Sequence, residues 1–301
     1  MKKIRILGLV LILIAPVWAE TTLLEILKIY PDARSTALGG TGISAAAGPF
    51  SAYWNPALLS EETGKSLGLS YNQYVADVYL SHLGFVLPAK NMTFGLMVSY
   101  LGGAGIPQTD IDADGKIVYT NQNFNYYSQA LGLAIARKFS IGSLGLEIKY
   151  LGENIAGDSL GAIAGSLGGK LAYGDLAVGL ALKDVGLLIS KAGEENGALP
   201  SRLGLGLSFR YLLGRNLYGC WSVDGEYLFT GKIVGHFGQD LVWKNLAFRL
   251  GINTKTVNSL GTLSGLSIGA GYNWRRFSLD YAFVPFGDLG NINRFTITYW
   301  F

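Results

Sequence analysis

The stretch TDIDADGKIVYTN sets Asp110, Asp112 and Asp114 two residues apart and follows them with Gly115. A calcium-binding loop opens this way, but such a loop closes on a bidentate glutamate at its twelfth position. Here the twelfth position is Asn121. Acidic turns ending in Asp-Gly also form hairpin tips, so both readings of Asp110 to Asp114 stand open. Other chemistry has little to draw on. Cys220 is the single cysteine, and His82 and His236 are the two histidines. An intrachain disulfide and a multi-cysteine metal site are therefore excluded. No nucleophile elbow and no zinc-ligand spacing occurs. The runs GLGLG and GAGYN lack the strand-to-helix context of a phosphate loop. The sequence predicts no catalytic residue, no cofactor and, the calcium reading apart, no metal.

What remains is a set of charges at fixed parity. Glu147 and Lys149 in SLGLEIKY, Arg202 and Arg210 in SRLGLGLSFRYL, and Asp224 and Glu226 in WSVDGEYLF each fall on the polar side of an alternating run. Arg249 in NLAFRLGIN and Asp280 in FSLDYAF do the same. Cys220 shares the parity of Ser222 and Asp224, as a small residue rather than a reactive one. The chemistry open to such charges is pairing, because a charge withdrawn from water is costly unless met by another.

The elements that carry these residues have a period of two. In SRLGLGLSFRYL, Leu203, Leu205, Leu207, Phe209 and Tyr211 share one face. Leu144, Leu146, Ile148 and Tyr150 do so in SLGLEIKY. Strict alternation over this length means strands with one apolar face. The opposite face is largely Gly, Ala and Ser with scattered charge, which suits a lumen better than the polar exterior of a soluble sandwich. Tyr71, Tyr74, Tyr79, Tyr100, Tyr127, Trp243 and Trp274 gather toward strand ends, like the aromatic girdles of outer-membrane barrels. A soluble sandwich or barrel is the competing arrangement.

Composition agrees. Gly is 42 of 301 residues, about twice the usual ~7%, charged residues are 15% and mean hydropathy is +0.30. The first residues, MKKIR, an apolar run and Val17-Trp18-Ala19, have the order of a secretory signal peptide over residues 1–19; an uncleaved anchor is the alternative. Removing Lys2, Lys3 and Arg5 leaves 24 − 3 = 21 basic residues against 21 acidic, so no nucleic-acid partner is implied. After residue 19 no run reaches the ~20 apolar residues of a spanning helix.

Counting yields about fourteen strands, near 66–75, 79–88, 92–101, 127–138, 143–152, 160–172, 175–184, 201–212, 217–229, 232–242, 244–254, 262–274, 276–284 and 293–301. Short linkers (PAKN, FSIG, YG, LGRN, WKN, RR) alternate with long connections at 102–126, 185–200, 254–261 and 285–292. Short turns on one rim and long loops on the other is the asymmetry of bacterial outer-membrane barrels. The expected fold is all-β, a transmembrane antiparallel barrel over residues 66–301. Its last strand, RFTITYWF, keeps Ile297, Tyr299 and Phe301 apolar on alternate positions, as a final lipid-facing strand should.

Residues 20–65 break the period. TLLEILKIY has helical spacing, and the following stretch is small and turn-rich, suited to plugging a lumen that wall side chains leave unfilled. Gly39, Gly40 and Gly42 permit close backbone packing, Tyr53 and Trp54 can anchor the segment, and Asn55 before Pro56 and Ala57 favours a turn. Arg34 is expected to pair with Glu147, Asp224, Glu226 or Asp280.

ARSTALGGTGISAAAGPFSAYWNPALLS resembles the N-terminal motif of the PorV/PorQ family, relatives of the FadL-type transporters, and FSLDYAFVPFGDLGNINRFTITYWF is similar to its closing hairpin. Pro31-Asp32 stands where that family has glycine, and AAAGPF lacks its acidic pair. The resemblance implies a bacterial outer-membrane protein, and Ile297, Tyr299 and Phe301 resemble the C-terminal signal read by the barrel assembly machinery. Such a protein would assist protein secretion or surface attachment of the type IX kind, with secreted proteins or other secretion components as partners. The alternative it implies is FadL-like passage of hydrophobic small molecules. That route needs an apolar lumen, and the inward residues read as Gly, Ala, Ser and charge count against it. A structural barrel without transport is the third reading.

Overall fold

A computed structural model describes residues 22–73, 78–190, 197–255, 262–287 and 290–301. The leader read at residues 1–19 and Tyr74 lie outside them. Fourteen strands form one closed antiparallel barrel. They are β1 Ser66–Gln73, β2 Tyr79–Pro88, β3 Thr93–Ile111, β4 Ile117–Phe139, β5 Gly142–Ile155, β6 Asp158–Tyr173 and β7 Leu176–Ser190. The second half comprises β8 Arg202–Gly214, β9 Leu217–Leu228, β10 Ile233–Trp243, β11 Leu246–Asn253, β12 Leu266–Trp274, β13 Phe277–Pro285 and β14 Asn291–Trp300. Each pairs with its neighbours in the chain, and β14 closes on β1 from Ser66↔Trp300 to Gln73↔Asn293. Closure leaves no sheet edge for lipid to face, as a membrane wall requires.

Alternation sets which residues face outward. Along β8, Leu203, Leu205, Leu207 and Phe209 are 42–51% exposed, while Arg202 and Ser208 between and beside them are buried. Ile297 and Phe301 also point out, which accounts for the greasy end of the chain. No described helix is long and apolar enough to cross a membrane; the wall crosses with strands.

Two departures from the expected strands have physical causes. The connection expected at 102–126 is mostly strand: β3 and β4 continue past the barrel as a ribbon that turns at Asp112–Gly115. There Asp112 Oδ1 accepts from the backbone N–H groups of Asp114 and Lys116, so the acidic triplet serves a hairpin tip. The second lies in β7. Between the pairs Gly165↔Val185 and Leu167↔Leu182, Ser166 opposes two residues, Lys183 and Asp184. This is a β-bulge, with Asp184 at φ +58°. It turns two successive side chains inward, and both are at most 1% exposed. Beyond Lys183↔Arg202, β7 and β8 no longer pair.

Leu205 lies mid-strand on the lipid side, so Leu205→Arg should cost roughly 2–4 kcal/mol in urea unfolding from vesicles. A negligible cost would contradict the outward assignment.

Candidate functional site

Residues 22–65 lie against the inner wall. Helix α1 (Ala33–Ala37) is capped by Asp32, whose side chain accepts from the Ser35 N–H at 2.7 Å. Its methyl side chains Ala33 and Ala37 sit on Ala282 of β13. The Ala33 N–H donates to Thr296 Oγ1 (2.9 Å), and Ser267 Oγ donates to the Ala37 carbonyl. Helix α2 (Ser51–Trp54) carries Tyr53 and Trp54, both nearly inaccessible. Asn55 then caps the 3-10 turn Pro56–Glu61: its Oδ1 accepts from the Ala57 N–H, while its Nδ2 donates to the carbonyls of Ile43 and, in β6, Gly169. The wall is bare where this segment touches it. A Cβ on Gly168 would stand 1.9 Å from Asn55 Oδ1, and one on Gly251 1.9 Å from the Gly39 nitrogen. Gly39 is itself at φ +70°, which favours glycine.

Two ionic clusters hold the segment. In the first, Lys149 Nζ meets Asp184 at 2.6 Å and Glu147 at 3.0 Å. Arg202 reaches Asp184 (3.3 Å) and Glu226 (3.5 Å), and Lys183 reaches Glu226 (3.4 Å). Tyr53 is seated among these cations: Lys183 Nζ is 4.6 Å and the Arg202 guanidinium 5.6 Å from its ring centre, within cation–π range. Burial pushes the Tyr53 phenol pKa up, so it stays protonated and donates to the Leu27 carbonyl (3.0 Å). Beside it, Asp224 Oδ2 accepts from the N–H groups of Gly42 (2.7 Å) and Ile43 (2.9 Å). The second cluster is a chain: Arg34 to Asp240 (3.2 Å), Asp240 to Arg249 (3.2 Å), Arg249 to Asp280 (2.7 Å).

Space remains on both sides of α1. Toward the long-loop rim is a cavity of about 180 Å³ lined by Ile29, Tyr30, Val284, Phe286 and Ile292 and also by the polar Lys28, Thr36, Asn253, Lys255, Ser267 and Arg294. Toward the short-turn rim is one of about 910 Å³, lined among others by Arg34, Phe50, Tyr211, Cys220, Asp240 and Trp300. The two share no lining residue; α1 turns Arg34 to the larger and Thr36 to the smaller. Near the loop rim, Leu24, Ile26 and Leu27 fill an apolar cluster with Leu80, Leu101, Leu151, Ala162 and Leu199. This cluster backs the place where β7 and β8 part, and the Leu23 N–H donates to the Ala198 carbonyl there (3.0 Å).

Most of the expected inward charges are brought together: Glu147, Lys149, Arg202 and Glu226 in the first cluster with Asp224 beside it, Arg249 and Asp280 in the second. Arg210 has the right parity but stands exposed at the mouth of the larger cavity, because β8 has reached the rim. Arg34 pairs with Asp240, and not with any of the four carboxylates expected for it. Asp240 and His236 share the parity of Val234 and Gly238 in IVGHFGQDLVW, and that signal identifies both as inward. Lys183 and Asp184 were hidden by the bulge, although adjacent charges in an alternating strand announce one. Nor is the lumen only Gly, Ala, Ser and charge: Leu80 and Leu151 are fully buried within it.

No protein-family model matches the chain, and no curated protein matches it. Solved structures do share the fold. A "TodX deltaS2S3 mutant monoaromatic hydrocarbon channel" superposes with TM-score 0.62 at 13% identity, covering 89% of this chain and 98% of its own. The toluene transporter TodX of Pseudomonas putida gives TM-score 0.59 at 12% identity, covering 89% and 97%. At such identity the likeness establishes the architecture: a transmembrane barrel of the kind those channels use.

Removing Arg202 leaves Asp184 and Glu226 short of a buried cation. Arg202→Gln should therefore cost about 3–5 kcal/mol in equilibrium unfolding, whereas Arg210→Gln at the mouth should leave the transition where it is.

Proposed function

We propose that the protein is an outer-membrane channel for hydrophobic small molecules, with residues 22–65 as a plug seated in its lumen. The observation that carries this reading is the cavity of about 180 Å³ between the loop rim and α1, walled by Ile29, Tyr30, Val284, Phe286 and Ile292. An apolar cavity of roughly 150 Å³ is enough to take up benzene. The fold shared with a monoaromatic hydrocarbon channel and a toluene transporter supports the same substrate class. So does the buried leucine cluster, which answers the expectation of a lumen too polar for such a route. The secretion role that the PorV/PorQ resemblance implied gains no comparable support: the cavities and the structural neighbours both favour small-molecule passage.

In this reading the polar lining residues Lys28, Asn253, Lys255 and Arg294 tolerate a polar end on the passenger, while the aromatic and branched side chains take its body. Tyr53, Trp54 and Asn55 hold the plug in register with the wall, and the two ionic clusters fix it at opposite sides of the lumen.

Uptake of radiolabelled toluene by cells producing the protein tests the reading. Val284→Trp, which fills the cavity from the wall, should bring uptake down to that of cells lacking the protein while the folded barrel keeps its gel mobility. Equal uptake with and without the wild-type protein would refute hydrocarbon passage.

A further inference from the structure

A depression of about 370 Å³ lies over β14, β1, β2 and β3 on the lipid side. Its origin is a single residue. Phe295↔Tyr71, Tyr71↔Ser81 and Ser81↔Tyr100 are in-register pairs, so one row across four strands reads Phe295, Tyr71, Ser81, Tyr100. Three members are large aromatics and the fourth is a serine. The row below, Ile297, Leu69, Leu83 and Val98, is aliphatic throughout and forms the lower half of the depression. Tyr79 stacks on Tyr100 with ring centres 5.9 Å apart and closes the top.

Two features make this more than a dent. Ser81 places a short hydroxyl close to the wall between the tyrosine rings, and among the described residues its side chain has no hydrogen-bond partner. A hydroxyl facing lipid without a partner is costly. The tyrosines around it are the residue type that settles at the level of headgroups and ester linkages. The depression therefore starts at the interface of the leaflet on the long-loop side and runs into the hydrocarbon, with an unmet donor at its upper end.

We propose that this depression is a binding site for one ester-linked acyl chain of a bilayer lipid. The chain lies along Leu69, Leu83, Val98 and Ile297, and an ester carbonyl accepts the Ser81 hydroxyl between Tyr71 and Tyr100. The lipid is the occupant because the face belongs to the band that lipid bathes, and because the site joins an aliphatic trough to hydroxyl donors at its upper end, which is the complement of an acyl ester. The inference is independent of what passes through the lumen.

The test is native mass spectrometry of the full mature chain, stripped of lipid in detergent and titrated with dimyristoyl phosphatidylethanolamine. The wild type should retain one lipid at concentrations where further lipid does not bind. Ser81→Leu fills the trough and should weaken that first binding by about tenfold. Ser81→Ala, which keeps the trough and removes the hydroxyl, should fall between the two. Unchanged heat-modified gel mobility shows that both variants fold. Equal retention by wild type and Ser81→Leu, or a wild-type ladder of lipids with no distinct first site, would overturn the proposal.

Discussion

Lipid offers no hydrogen bonds, so a chain that crosses it with strands must satisfy every backbone group within its own wall. The remainder of the molecule follows from that closure. Once β14 has paired with β1, side chains have two destinations. Those facing out across the bilayer must tolerate hydrocarbon, and the charges carried at that depth go inside. The interior then becomes a place of low dielectric crowded with ions, and each ion needs a partner. Glu147, Lys149, Lys183, Asp184, Arg202 and Glu226 meet that need among themselves, with the Tyr53 ring among the cations.

The N-terminal segment completes the interior rather than decorating it. Glycines on the inner wall let its backbone come into contact, and a methyl group at Gly145, Gly168 or Gly251 would collide with it. Asp224 receives two of its N–H groups, and Arg34 joins the wall's second ion chain through Asp240. Seated this way, α1 separates a small apolar chamber on the loop side from a large mixed one on the turn side. For the hydrophobic passenger proposed above, the first chamber is the favourable one, and reaching the second would mean displacing or skirting the segment.

The barrel was legible because its rule has a period of two, and a rule that simple survives in sequence. Strand number, alternation of turn lengths and the outward Phe301 all descend from it. Reading failed where a local event replaced the rule. The bulge at Lys183–Asp184 put two neighbours on one face, which parity forbids. The β3–β4 ribbon leaves the wall, where lipid no longer enforces alternation, so TDIDADGKIVYTN carries no strand signal of its own. Leu80 and Leu151 obey parity, yet a leucine pointing inward looks like noise until the apolar face of Leu24, Ile26 and Leu27 is seen opposite it. The partner of Arg34 depended on the angle at which the segment enters the lumen, and no local pattern contains that angle.

Ion conductance across a planar bilayer tests the central proposal, that residues 22–65 stopper the lumen. The wild-type protein should pass almost no current, and a variant lacking residues 22–62 should open a steady pore through the same wall. A wild-type conductance equal to that of the shortened chain would contradict the account.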